Sequence, residues 1–145
     1  MGKKDFFEAP NPGSVAKMNI AVGYFKAWAS IMQSQSNELT YLDLCSGRGR
    51  YKNGAPATPL RILDAVREMP RLQDRLRISF YESNSECHKS LSNNVRSHPT
   101  FDWLKTPPDI LKQEVNADLV TKLLMNACTF TFIDPCGYLP ISVEL

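Results

Sequence analysis

The sequence predicts an α/β fold built on a doubly wound, mostly parallel sheet with strands in the order 3-2-1-4. Three observations lead there. Apolar runs end in acids at Asp43, Glu82 and Asp134, as strands do when their C-terminal ends open on a ligand crevice. Segments with helical periodicity separate those runs, the alternation that gives parallel strands joined by crossover helices. The first run also breaks into a loop carrying Gly47 and Gly49, the form of a strand turning sharply into a nucleotide-binding loop.

Residues 1–13 are polar and hold Pro10, Pro12 and Gly13, so they read as an irregular arm ahead of a single domain over 14–145. Ser14 is a candidate cap for a helix to about Gln33, in which Val15, Met18, Val22, Phe25, Ala29 and Met32 follow helical spacing. Trp28 extends that face and reads as core. Residues 39–45 form the first strand, apolar nearly throughout, as expected where both faces are covered. A long loop over 46–58 leads to Pro59, suited to the first turn of a helix that ends before Pro70. The second strand is expected over 76–81 and a helix over 84–96. Residues 100–104 read as a short third strand. Pro107 and Pro108 precede a helical stretch over 109–126 with a break near Asn116, and residues 129–133, β-branched and aromatic, form the fourth strand. In the order 3-2-1-4 that last strand is a long apolar edge, which soluble proteins avoid. An N-terminal portion of a larger domain is therefore expected.

Composition excludes several classes. The chain has 145 residues, is 43% hydrophobic and 22% charged, and carries a formal charge of +2, so it offers one globular domain and no overall electrostatic case for nucleic acid. No apolar run approaches the roughly 20 residues that span a bilayer, and the start lacks a signal peptide's apolar stretch. A cytoplasmic protein with no membrane partner is expected. Cysteines 45, 87, 128 and 136 lack the paired spacing of a zinc site and read as reduced, small apolar residues. Cys45 and Cys136 stand beside the motifs and are placed to line a pocket. His88 and His98 have no partner at ligand spacing and read as surface residues.

The loop narrows the ligand. Dinucleotide sites want Gly-x-Gly-x-x-Gly with an acid about 20 residues on; here Lys52 holds the third glycine's place and Glu82 lies too far along. S-adenosylmethionine (SAM) fits better. Its ammonium needs an acid near the first turn, which Asp43 supplies, and its ribose needs a two-oxygen acceptor at the second strand's end, which Glu82 supplies. Asp102 and Trp103 stand where an adenine contact can arise. Asp134, Pro135 and Tyr138 follow the fourth strand as an acid, a proline and an aromatic do in amino-group methyltransferases. A carboxylate and a carbonyl can hold an amine's N–H groups, and an aromatic can stack on a flat base. Arg48, Arg50 and Lys52 crowd the glycine loop, as a solvated face, as partners of Asp43 and Glu82, or as phosphate contacts of a nucleic-acid substrate.

These motifs resemble the three-Cys-motif partner (TcmP) proteins, a branch of the class I SAM-dependent methyltransferase fold, which is Rossmann-like. That family shows Asp-x-Phe-Ala-Gly-Pro-Gly-Arg-Tyr, a Gly-Ser-Pro-Leu helix start and Phe-Ile-Asp-Pro-Phe-Gly-Tyr. Asp43, Gly47, Gly49, Arg50 and Tyr51 match the first, Thr58-Pro59-Leu60 the second, and Phe132-Ile133-Asp134-Pro135-Cys136-Gly137-Tyr138 the third. The likeness spans about residues 14–145. Cys45 and Ser46 replace Phe-Ala, Arg48 replaces Pro, Ala57 replaces Gly and Cys136 replaces Phe, which alters pocket shape more than the pattern of acids. The resemblance implies a SAM-dependent methyltransferase with Asp43, Cys45, Gly47, Gly49, Tyr51 and Glu82 toward the cofactor. It names no substrate; the Asp-Pro-x-Gly-Tyr turn alone leads to the expectation that Asp134, Pro135 and Tyr138 face the acceptor, with an amino group on a nucleic-acid base as the candidate. The resemblance also implies a longer chain and a partner protein carrying three cysteines. A non-catalytic nucleotide- or SAM-binding module and a dinucleotide oxidoreductase are the alternatives.

Overall fold

Asn11 sets the first element. Its side chain accepts a hydrogen bond from the Ser14 amide at 2.8 Å, and Pro12 fills the first helical position, where its missing N–H costs nothing. Helix α1 (Pro12–Met32) follows, so the cap is Asn11 and not Ser14. The far end is closed by Arg75, whose guanidinium donates to the carbonyls of Gln33 and Ser36. In this computed structural model the described residues are 9–125 and 128–134.

Four strands form one parallel sheet in the order β3-β2-β1-β4: β1 (Leu39–Asp43), β2 (Leu76–Tyr81), β3 (Asp109–Leu111) and β4 (Thr129–Phe132). Helix α2 (Thr58–Arg67) joins the first two strands, together with a single 3₁₀ turn over Pro70–Leu72. Helices α3 (Ser85–Arg96) and α4 (Pro99–Trp103) lead to β3, and α5 (Ala117–Leu124) leads to β4. The expected strand order stands.

The alternation of β1 splits the core in two. Tyr41 faces Phe25 edge-on at 5.4 Å between ring centroids and stacks on Phe130 at 5.9 Å, within a large cluster that includes Leu60, Leu63, Ile78, Phe80 and Leu91. Trp28 packs onto this cluster, as expected of a core residue. On the other face Leu42 and Leu44 meet Tyr81 and Val115, with Leu119, Val120 and Leu123 of α5 packed against them. Both faces of the central strand are thus covered, which is why its sequence reads as one apolar run.

Two expectations fail between residues 98 and 126. Residues 100–104 are not a strand; they belong to α4. Pro99 stands at the first helical position, and the His98 ring accepts from the Thr100 amide at 3.1 Å, a local cap that overrides the β propensity of Thr100, Phe101 and Trp103. The third strand is instead Asp109–Leu111, which the expected helix had absorbed. Pro107 and Pro108 hold the chain extended into it, and Glu82 continues the pairing by donating its amide to the Leu111 carbonyl at 2.9 Å. The break expected near Asn116 is the start of a helix: its side chain accepts from the Leu119 amide at 2.8 Å. At the top of β1 the ladder ends at Asp43, two residues short of the expected boundary. The chain stays tied to its neighbours beyond it through Leu44 N–H to Phe132 O at 3.1 Å and Ser46 N–H to Tyr81 O at 3.0 Å.

Candidate functional site

Because the strands are parallel and in register, their acids arrive at one edge. Asp43 pairs in register with Phe80 of β2 and Phe132 of β4, so Glu82 and Asp134 each follow a neighbour of Asp43 by two residues. Above this edge lies a cleft lined by Asp43, Cys45, Gly47, Tyr51 and Asp134, with Ser14, Lys17 and Met18 of α1 as its outer wall. Its enclosed part measures about 70 Å³. Sites that engulf a whole small ligand run to roughly 300–1,000 Å³, so this cleft is too small to enclose one.

The glycine loop is firmly built. Gly47 has φ +69° and Gly49 φ +84°, values that favour glycine. The carbonyl between them, of Arg48, accepts from Asn94 Nδ2 at 2.9 Å, which fastens the loop to α3. Tyr51 then opens a tight hairpin, donating its amide to Ala55 O and accepting at its own carbonyl from the Gly54 amide, both at 2.9 Å.

Asp43 is the unusual group. It is 1% exposed; Oδ1 accepts from the Cys45 amide at 3.2 Å, and Oδ2 is buried without a hydrogen-bond partner among the described residues. Burial is the main reason its pKa rises from the ordinary 3.8 to about 7, helped by the charges of Asp134 and Glu82 and opposed by hydrogen bonds from the Cys45 amide and Ser46. The pocket lining therefore includes a buried carboxyl group that exchanges its proton near neutrality and has one unpartnered oxygen.

Glu82 and Gly49 sit differently from the other expected contacts. Glu82 lies half-buried outside the lining, where Oε2 accepts from the Gly47 amide at 2.8 Å and Oε1 from the Asn84 amide at 3.1 Å. Each carboxylate oxygen has a second lone pair, so the two amides orient the group and leave it able to accept again. Gly49 lies behind the cleft, packed on α3: a Cβ there would come within 3.3 Å of Leu91 Cδ1. Asp134 is half-buried, its Oδ1 3.7 Å from Lys17 Nζ. Pro135 and Tyr138 lie outside the described residues. Trp103 is engaged below the Arg67 guanidinium at 5.2 Å, which holds α4 to α2.

No family model, curated protein or solved structure matches this chain. The chemistry of the cleft rests on its own residues. Among the described residues no group of His, Cys, Asp and Glu is arranged to hold a metal ion, and no helix is long and apolar enough to cross a membrane. Nor do the histidines stand free on the surface, as expected from their spacing. His88 is half-buried with Nε2 3.1 Å from Ile110 O, and His98 sits 2.7 Å from Asp64 Oδ1. Lys17, Asn94 and Ser14 contribute to the site without any motif to announce them. Lys17 and Ser14 reach it by the packing of α1, and Asn94 by lying 46 residues from the carbonyl it binds.

Proposed function

We propose that this cleft binds S-adenosylmethionine and that the chain belongs to a methyltransferase acting on an amino group. The observation that carries the reading is Asp43, an acid at the end of a central strand, buried, with one oxygen lacking a partner. A buried carboxyl with an open oxygen is costly to a fold and matches an ammonium group. The fit extends to Glu82, held by two amides with lone pairs to spare for ribose hydroxyls, and to Gly47, whose backbone lines the wall. The motif resemblance points the same way.

When bound, the cofactor would supply an electrophilic methyl group with a good leaving group. The protein's contribution is positional. Asp43 would hold the ammonium, Glu82 the ribose and Asp134 an N–H of the acceptor, so that the reacting atoms meet in one orientation. Lys17 compensates the charge of Asp134 while no acceptor is there.

A thermal melt with SAM, S-adenosylhomocysteine or NAD tests the reading, since a ligand that binds only the folded state raises the midpoint by mass action. The expected result is an upward shift with both adenosyl ligands, absent in Asp43→Asn. A shift with NAD alone would replace the reading by a dinucleotide site, and no shift with any ligand would refute it.

A further inference from the structure

The outer rim of the cleft is cationic, and the cofactor reading leaves most of that charge unused. Lys17 stands on α1, while Arg50 and Lys52 stand on the hairpin that follows the glycines. Lys17, Arg50 and Tyr51 all line the cleft, and Lys52 is exposed beside them. Arg50 gives one N–H to Gly54 O at 3.0 Å. A guanidinium has five donors, so that bond fixes the fork and leaves it able to bind further. The nearby acids offset Lys17 and Arg48, and leave Arg50 and Lys52 without an ion pair among the described residues. Asp43 lies on the floor, Asp134 is 3.7 Å from Lys17, and Glu86 is 3.7 Å from Arg48.

An Arg-Tyr-Lys run on a tight hairpin combines what single-stranded nucleic acid requires: cations for phosphates, with Arg suited to their fork geometry, and an aromatic beside them for a base. A carboxylate-rich peptide would satisfy the cations but give Tyr51 no part. Position adds a second reason. The rim borders Asp134, so a strand held there by its phosphates could present an unpaired base to the acid, while a duplex would keep its base edges stacked away. We propose that the mouth of the cleft, through Arg50 and Lys52, binds the phosphodiester backbone of single-stranded nucleic acid. This names the acceptor class of the methyl-transfer reading and rests on it.

The test is a fluorescence-anisotropy titration of the full chain with a labelled single-stranded oligonucleotide of mixed sequence, without cofactor, over a range of salt. Binding should weaken with salt. The double variant Arg50→Gln/Lys52→Gln should flatten the log–log slope by about 1.4, and weaken binding roughly 20-fold at about 0.1 M salt, from about 0.7 per phosphate contact on single strands. Lys52→Glu alone, at an exposed position, should weaken binding in the same direction and guards against a hairpin disturbed by losing the Arg50 bond. No binding at low salt, or variants that bind as the parent does, would overturn the proposal. So would equal affinity for duplex or for a polyglutamate peptide, or competition by inorganic phosphate at concentrations matched to the phosphates of the strand. The assay contains no SAM, so its failure and the failure of the melt are separate results.

Discussion

Replacing Asp43 by asparagine keeps the shape of the side chain and its bond from the Cys45 amide, and removes the charge. In the folded protein the carboxyl releases its proton at about 7; in the unfolded chain it does so near the ordinary 3.8. Between those values the folded state holds the extra proton, so stability falls as pH rises. The contribution is fully present below 3.8 and is lost on passing about 7. At about 1.4 kcal/mol per tenfold change in proton affinity, the charged state costs on the order of 4 kcal/mol in full, and roughly 2.5 kcal/mol of that develops between pH 5 and pH 8. Urea denaturation of both proteins across this range isolates the term, because every other titrating group is common to them. Asp43→Asn should gain on the parent by about that amount toward pH 8. Parallel stability curves would refute the reasoning, since they would mean that Asp43 is not buried in its charged form. The same titration bears on the ligand. An ammonium needs the ionised carboxyl, so the thermal shift given by SAM should grow through pH 7 in the parent and be absent at every pH in the variant.

Two other substitutions test how the site is supported. Gly49→Ala forces a side chain into φ +84° and against Leu91 at 3.3 Å, whereas Gly23→Ala, in mid-helix with nothing within 4 Å, meets neither problem. Chemical denaturation should show a loss of about 1–3 kcal/mol for the first and a gain of up to about 1 kcal/mol for the second; equal effects would show that the loop's geometry imposes no constraint. His98→Ala should cost about 1 kcal/mol through the lost cap on α4, and His98→Asn, which restores an acceptor for the Thr100 amide, should recover most of it. If the two variants are equally unstable by urea denaturation, the contact with Asp64 and not the cap is what His98 contributes.

Legibility in this chain follows the range of the forces involved. β1 and β2 could be read because a strand covered on both faces must be apolar at nearly every position, a demand met within a few residues. The misplacement of β3 has the same origin. Thr100, Phe101 and Trp103 carry strand propensity, but Pro99 and the His98 ring decide the backbone, and histidine is outside the usual set of capping residues. The three residues of β3 are too few to show a period at all. The site divides along similar lines. Asp43 announced itself because a carboxyl closing an apolar run has no evident part in packing. The bond from Gly47 to Glu82 spans 35 residues, and the wall that Lys17 and Ser14 make depends on how α1 lies across the sheet. No local pattern encodes either. What local pattern does encode is the conflict itself. A hydrocarbon side chain at position 43 would pack the same strand end without the desolvation that lifts its pKa, and the fold would be more stable for it at neutral pH. An acid held there against stability, with one buried oxygen lacking a partner, is the feature on which the proposed ligand rests.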